Sequence, residues 1–454
     1  MENRLKELTD KYNIAVPRYT SYPTMPYWDN DTFTVKSWKD SVKLSFNESN
    51  QSSGISLYIH LPFCENLCTY CGCNTRITKN HSVEEPYIAA VLKEWKLYRD
   101  VCRNIPVIRE IHLGGGTPTF FSVDNLHKLI DGLLDGVHIH EKAEFSFEAH
   151  PANTTFDHLH TLYDLGFRRL SLGIQDFDPK VQFIINRQQT FEQVLTTTLQ
   201  ARRIGYTSIN YDLIYGLPLQ NLDGLINTMS IVSGLKPDRI AFYSYAHVPW
   251  IKPGQRRFTE ADLPDAEAKV KLREIGRSLL TSYGYKEIGM DHFALPGDEL
   301  LEAAESGELH RNFMGYTHQH TQLLIGLGVS SISDSWYGFA QNVKTVEEYM
   351  ALIGTGEFAL MKGHLLSEDD LILRRLILDI MCKGETQWNH KPGEVLFEGL
   401  VRLQGLEADG LVELNLSGIK VTPQGKPFLR NICMCLDARL WAAQPTTQLF
   451  SMAV

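Results

Sequence analysis

The chain has 454 residues, 43% hydrophobic and 22% charged. That balance suits a folded globular protein with a sizeable core and excludes disordered, collagenous and disulfide-rich chains. Its 44 Lys and Arg against 54 Asp and Glu leave a net charge of −10, which argues against nucleic acid or an anionic membrane as the main partner.

In chain order, the first fifty residues read as polar and irregular, broken by Pro17, Pro23 and Pro26. MENRLKELTDKYN carries no hydrophobic signal core, and no apolar run reaches the roughly 18 residues that span a bilayer. A cytoplasmic protein is expected. From residue 55 the pattern alternates. β-rich runs at 55–60, 110–113, 144–148, 169–174, 208–214 and 239–245 are separated by amphipathic helical stretches at 84–103, 123–134, 155–165, 191–204 and 222–235. Strand, helix, strand at this spacing predicts a parallel sheet built from right-handed crossovers. Six units predict an α/β fold, a partial TIM-type (β/α)6 barrel. Beyond 255 the alternation stops. Helices are expected at 266–283, 369–382 and 395–403, then a hairpin of strands 412–416 and 419–422. That order resembles a winged helix, and the acidic balance favours a covering role over DNA binding. The expected division is an N-terminal extension (1–54), the barrel (55–255), a barrel-associated, substrate-covering region (256–360) and a helical C-terminal domain (361–454).

The predicted strands share a feature at their C-terminal ends, where parallel barrels build their sites. The first leads into a cysteine cluster and the second into Gly114-Gly115-Gly116. The third ends at Glu148, the fourth at Gln175, the fifth carries Asp212, and the sixth leads into Tyr245-Ala246-His247. Six in phase point to one cavity.

Four of the eight cysteines, Cys64, Cys68, Cys71 and Cys73, fall within ten residues. In a reducing compartment such a cluster reads as metal binding. Cys102 and Cys382 read as small buried hydrophobes, and nothing near Cys433 and Cys435 completes a site. The spacing Cys64-x-x-x-Cys68-x-x-Cys71 provides three thiolates for a [4Fe–4S] cluster and leaves the fourth iron open. An open iron is suited to chelate S-adenosylmethionine, whose reductive cleavage yields a 5′-deoxyadenosyl radical. A zinc site would need a second knuckle, and the sequence has none. Tyr58 and Tyr70 flank the motif. The glycines of 114–119 allow close backbone approach to a methionyl amino group. Glu148 and Asp212 suit amine, ribose or sulfonium contacts; Gln175 and Arg187 suit hydroxyls and a carboxylate.

With these residues the chain resembles the oxygen-independent coproporphyrinogen III oxidases, radical S-adenosylmethionine enzymes of haem biosynthesis. The likeness runs through residues 17–23, 58–64, 71–74, 114–119, 175–177, 212–218, 245–247, 289–293, 310–313 and 430–435. It implies that Cys64, Cys68 and Cys71 hold the cluster and Cys73 does not. It implies two S-adenosylmethionine molecules, one near Tyr58, Gly115, Glu148 and Ile332. The second is implied near Tyr70, Gly116, Thr117, Gln175, Arg187, Asp212 and Ala246. The implied reaction decarboxylates two propionates of coproporphyrinogen III to vinyls, in a monomer served by a low-potential donor such as flavodoxin or ferredoxin. The rival within the superfamily is a haem chaperone, which typically lacks the 17–23 segment and the Cys-Gly-Cys. Tyr70, Tyr211 and His318-Gln319-His320 depart from the common pattern. A four-propionate substrate calls for a local cationic patch, with Arg18, Arg256, Arg257 and Arg311 as candidates. Residues 17–23 are expected to lie over the barrel mouth.

Overall fold

The computed structural model describes residues 2–388, 394–445 and 447–453. Among these, one 12-stranded sheet carries the fold. Its centre is the six strands foreseen: Ile55–Leu61, Val107–Gly115, His138–Ala149, Phe167–Gln175, Ser208–Tyr215 and Arg239–Ser244, each parallel to the next. Helices Glu84–Cys102, Val123–Leu134, Phe156–Asp164, Phe191–Ile204 and Leu222–Leu235 form the crossovers. Several start on side-chain caps, with Ser122, Thr155, Thr190 and Asn221 each accepting from a first-turn N–H. The barrel interior and its helices share one core, from Ile55 and Leu57 through Leu113, Phe147 and Leu172 to Phe242.

Two features lie outside the six-strand expectation. A seventh parallel strand, Leu324–Leu327, pairs with the free edge of Ile55–Leu61. Three antiparallel strands, Ile332–Asp334, Gly338–Asn342 and Leu360–Leu365, continue from it. Residues 324–327 are buried throughout, so they lack the alternation that marks a half-exposed strand. The first fifty residues are also not irregular. They hold helices Glu2–Tyr12 and Val35–Ser49. The second places Trp38, Val42 and Phe46 one turn apart on the main core. Serines 41, 45 and 49 share its buried face, and that small polar stripe disguises the apolar period.

At the other end, helices Glu368–Lys383, Glu394–Ala408 and Leu429–Cys435 enclose a second core with a three-stranded antiparallel sheet. The hairpin is there, as Val412–Asn415 and Gly418–Val421, joined by Glu385–Gln387. Leu8, Tyr12, Tyr19 and Tyr22 belong to this core. The 17–23 segment is therefore sunk into the C-terminal domain rather than laid over the barrel. Tyr19 donates to Asp437 at 3.0 Å, and Arg430 donates to the Pro17 carbonyl. Only Arg18 reaches the barrel, donating to the Ser244 carbonyl at 3.1 Å.

Candidate active site

A cavity of about 880 Å³ opens at the C-terminal ends of the barrel strands. Cys64, Cys68, Cys71 and Cys73 line it together with Tyr70, Gly115, Gly116, Thr117, Glu148, Gln175, Arg187 and Asp212. Side chains up to 148 residues apart in the chain thus meet at one mouth, because every strand of a parallel barrel ends on the same face.

The cysteine loop is a closed structure. Strand Phe63–Cys64 pairs in parallel with Arg76–Ile77, and the Thr69 N–H donates to the Ile185 carbonyl. Cys64, Cys68 and Cys71 are unpaired and half-buried, while Cys73 is exposed. Thr117 Oγ1 lies 3.3 Å from Cys64 Sγ. Burial pushes the Cys64 thiol up to about 11 and raises that of Cys68 against the nearby Arg187 charge. Cys71 is lowered, mainly by a hydrogen bond from the Cys73 thiol. Its Sγ also accepts from the Cys73 N–H at 3.4 Å. Cys73 thus supports Cys71 as a neighbour. Three half-buried thiols without disulfide or ion-pair partners on one loop fit a cluster that needs three thiolates.

The glycine run explains itself in space. Gly115 has φ of +110°, and a Cβ there would lie 2.8 Å from the His60 imidazole. A Cβ on Gly116 would lie 2.6 Å from the Pro62 carbonyl. His60 accordingly belongs to the site. It contacts the Asn74 carbonyl at 2.8 Å and the Tyr58 hydroxyl at 3.0 Å. Tyr58 stacks on His112 at 6.0 Å, and His112 Nε2 lies 3.5 Å from Glu148. Burial pushes the Glu148 carboxyl up, but His112 and the Gly115 N–H outweigh it and hold it below the usual range. His60 and His112 were missed by the sequence reading. Their signal was available: each sits two residues from Tyr58 or Gly114 on its strand, hence on the same face.

Gln175 has φ of +68°, where the register to the next strand slips between Gly173 and Gln175. The irregularity re-aims its side chain into the cavity. Arg187 is 6% exposed and donates to Tyr70 at 3.3 Å, Cys68 Sγ at 3.7 Å, Gln189 at 3.2 Å and the Gly173 carbonyl. Asp212 accepts from Asn210 at 2.9 Å and Ser171 at 3.1 Å. Burial and the Glu148 charge raise its carboxyl to about 6.

Three foreseen residues do not line the cavity. Tyr58 stands behind Gly114, against Glu148. Ala246 lends its carbonyl to Gln255, which also donates to the Tyr70 carbonyl. Ile332 begins the strand Ile332–Asp334 beside the seventh parallel strand. The arginine candidates separate as well. Arg311 is buried, 4.4 Å over the Tyr316 ring, with Nε unbonded. Arg256 and Arg257 are exposed, and none of the four arginine candidates lines the cavity. Lys269 joins Arg18 unannounced, donating to the Tyr245 carbonyl at 3.1 Å.

Of the departures, Tyr70 lines this mouth and the others fall away from it. Tyr211 points outward to Thr198, 2.5 Å away. His318 contacts Glu144 at 3.1 Å and Glu299 at 3.3 Å. It lines a second cavity, of about 660 Å³, at the opposite face with His140, His310 and His320. Cys382 lines that cavity too and is only half-buried, a correction to its reading as a core residue.

Residues 58–232 match the family model of the radical SAM superfamily. The chain is 38% identical over 459 residues to the oxygen-independent coproporphyrinogen III oxidase of Synechocystis, spanning 99% of this chain and 97% of that one. The Salmonella typhimurium oxidase of the same name is 39% identical over 440 residues, 95% of each chain. The structure of the Escherichia coli coproporphyrinogen III oxidase, described as a radical SAM enzyme, covers 92% of this chain and 97% of its own at a TM-score of 0.87 and 37% identity.

Proposed function

The chain belongs to the oxygen-independent coproporphyrinogen III oxidases, and on that premise we propose how its residues divide the work. It is a radical S-adenosylmethionine enzyme that decarboxylates coproporphyrinogen III oxidatively to protoporphyrinogen IX in haem biosynthesis. Its cofactors are a [4Fe–4S] cluster and S-adenosylmethionine. When bound, they supply a carbon radical strong enough to take hydrogen from an unactivated propionate carbon.

One observation supports the assignment of roles: four free thiols, the carboxylates of Glu148 and Asp212 and a bulge-aimed glutamine share one cavity at the strand ends. Cys64, Cys68 and Cys71 hold the cluster, and Cys73 steadies Cys71. The glycine backbone at 114–116 lets one S-adenosylmethionine approach the strand ends, and Glu148, ionised by its His112 bond, takes the methionyl ammonium. Tyr58 and Ile332 shape that side from behind. Tyr70, Gly116, Thr117, Gln175, Arg187, Asp212 and Ala246 would hold a second S-adenosylmethionine. Arg187 has committed four of its five N–H groups, so it braces the cysteine loop as well as offering charge.

The substrate's propionates meet Arg18, Arg311 and Lys269. Of these, Arg18 and Lys269 are tied to the adjacent carbonyls of Ser244 and Tyr245, at the C-terminal end of the sixth barrel strand. Half-buried cations held by carbonyls alone are completed by incoming carboxylates. The protein works as a cytoplasmic monomer fed by a low-potential donor such as flavodoxin or ferredoxin. No described helix is long and apolar enough to cross a membrane.

The test is anaerobic conversion of coproporphyrinogen III with dithionite and S-adenosylmethionine, together with equilibrium binding of the latter. Protoporphyrinogen IX and two bound molecules per chain are expected. A protein that binds haem tightly and never decarboxylates would be the chaperone instead.

A further inference from the structure

We infer that the exposed rim beside the cysteine loop is the docking face for an acidic electron-carrier protein, a reading that rests on the function proposed above. That chemistry needs one electron from outside the chain. The carrier gives up that electron and is oxidised, the bound cluster takes it up and is reduced, and no atom is transferred.

The rim is built against the loop itself. Its inner side is the segment ending in the short helix Pro253–Arg257. Lys252 donates to the Cys73 carbonyl at 3.1 Å, and Gln255 to the Tyr70 carbonyl at 3.1 Å. Gly254 lies against the cysteine loop, where a Cβ would meet Leu67 at 3.4 Å. The outer side is apolar and cationic. Phe183 is 72% exposed, Ile251 58%, Trp250 53% and Leu67 42%. Arg257 lies over the Phe183 ring at 5.5 Å, and exposed Arg256 is held by the Pro249 carbonyl. Among the described residues, none of Lys252, Arg256 and Arg257 forms a salt bridge, whereas surface cations such as Arg76, Lys128 and Lys271 do.

Isolated exposed apolar side chains mean little. Here two aromatic and two aliphatic side chains gather around three cations, which is the composition of an interface centre. A chain of net charge −10 repels acidic proteins on the whole. A cationic rim at the cysteine loop therefore selects both the partner's charge and its landing place.

The probe is an acidic flavodoxin, titrated anaerobically against the holoenzyme at several salt concentrations. Arg256→Glu with Arg257→Glu should weaken its Kd at least tenfold and flatten the salt dependence. Trp250→Ser should weaken Kd several-fold and keep the salt slope. Both variants should convert coproporphyrinogen at the wild-type rate and KM when dithionite replaces the carrier. Unchanged Kd in both variants would overturn the proposal. So would a raised coproporphyrinogen KM under dithionite, since the arginines would then serve the substrate. Wild-type protein that binds flavodoxin in this way but never decarboxylates with dithionite would sink the oxidase reading and leave the docking face standing.

Discussion

The two ends of the barrel bury charge in opposite ways. At the floor, the N-terminal ends of the strands, ionised groups are spent on one another. Arg169 pairs with Glu144, and Arg239 with Asp298 at 2.6 Å. Burial pushes Glu144 up, but Arg169 and His318 hold it well below the usual range. At the mouth, groups of similar polarity are oriented yet left incomplete. The three thiols lack partners that would satisfy them, Asp212 is raised by burial with only neutral donors, and Gln175 is turned inward by an irregular strand end. Pairing at the floor fixes the sheet's geometry. Incompleteness at the mouth leaves binding energy for ligands.

Cysteine substitution tests the mouth most sharply. Cys64→Ser, Cys68→Ser or Cys71→Ser should abolish cluster assembly, from about four irons and four sulfides per chain to almost none, and turnover with it. Cys73→Ser should keep the cluster. Equal iron loss in Cys73→Ser would show that the wrong three ligands were chosen.

The floor should fail by stability instead. Arg239→Met leaves Asp298 buried and unpaired, at a cost of about 3–5 kcal/mol. Arg239→Met with Asp298→Leu should recover most of that. Urea denaturation of the cofactor-free protein measures both, and a single variant as stable as wild type would refute the pairing argument.

Removing residues 1–25 lies between the two. It strips Tyr19 and Tyr22, each 1% exposed, from the C-terminal core. Thermal stability should fall substantially along with activity, since a buried aromatic is worth about 3–5 kcal/mol. Arg18→Ala, by contrast, should leave the melting temperature within about 1 °C and raise the KM for coproporphyrinogen. A truncated protein of full stability would restore the lid reading of this segment.

The smallest effect is titrational. The folded carboxyl of Asp212 titrates near 6, against about 3.9 when unfolded. Its native state holds a proton more tightly than the unfolded one, so stability is fully present below about pH 4 and declines as pH rises through 6. In cofactor-free protein, Asp212→Asn should therefore melt higher than wild type at pH 7–8 and alike near pH 4. Identical curves at both ends would place Asp212 in solvent.

Much of the mouth was legible because its chemistry is local. Three cysteines at fixed spacing and three consecutive glycines identify a loop and a close backbone approach wherever they fold. The strand-end residues Glu148, Gln175 and Asp212 followed from counting crossovers. The errors have physical causes. Helix Val35–Ser49 was hidden by serines on its buried face. The seventh parallel strand was hidden by a four-residue run buried on both sides. Residue type also does not report burial: among the arginine candidates Arg311 is buried, while Arg256 and Arg257 are exposed.

By itself the sequence determined the (β/α)6 core, the cluster motif and the family. These depend on periodicity and short spacings, which are properties of adjacent residues. Folding across the chain settled which carbonyls hold Arg18 and Lys269, where the aromatic N-terminal segment packs, and that His60 and His112 brace the glycine run and Glu148. Those answers depend on contacts such as Arg18 with Ser244, Tyr19 with Asp437 and Lys269 with Tyr245. Such partners lie from 24 to 418 residues apart, and it is burial in the folded chain, not neighbourhood along it, that selects them.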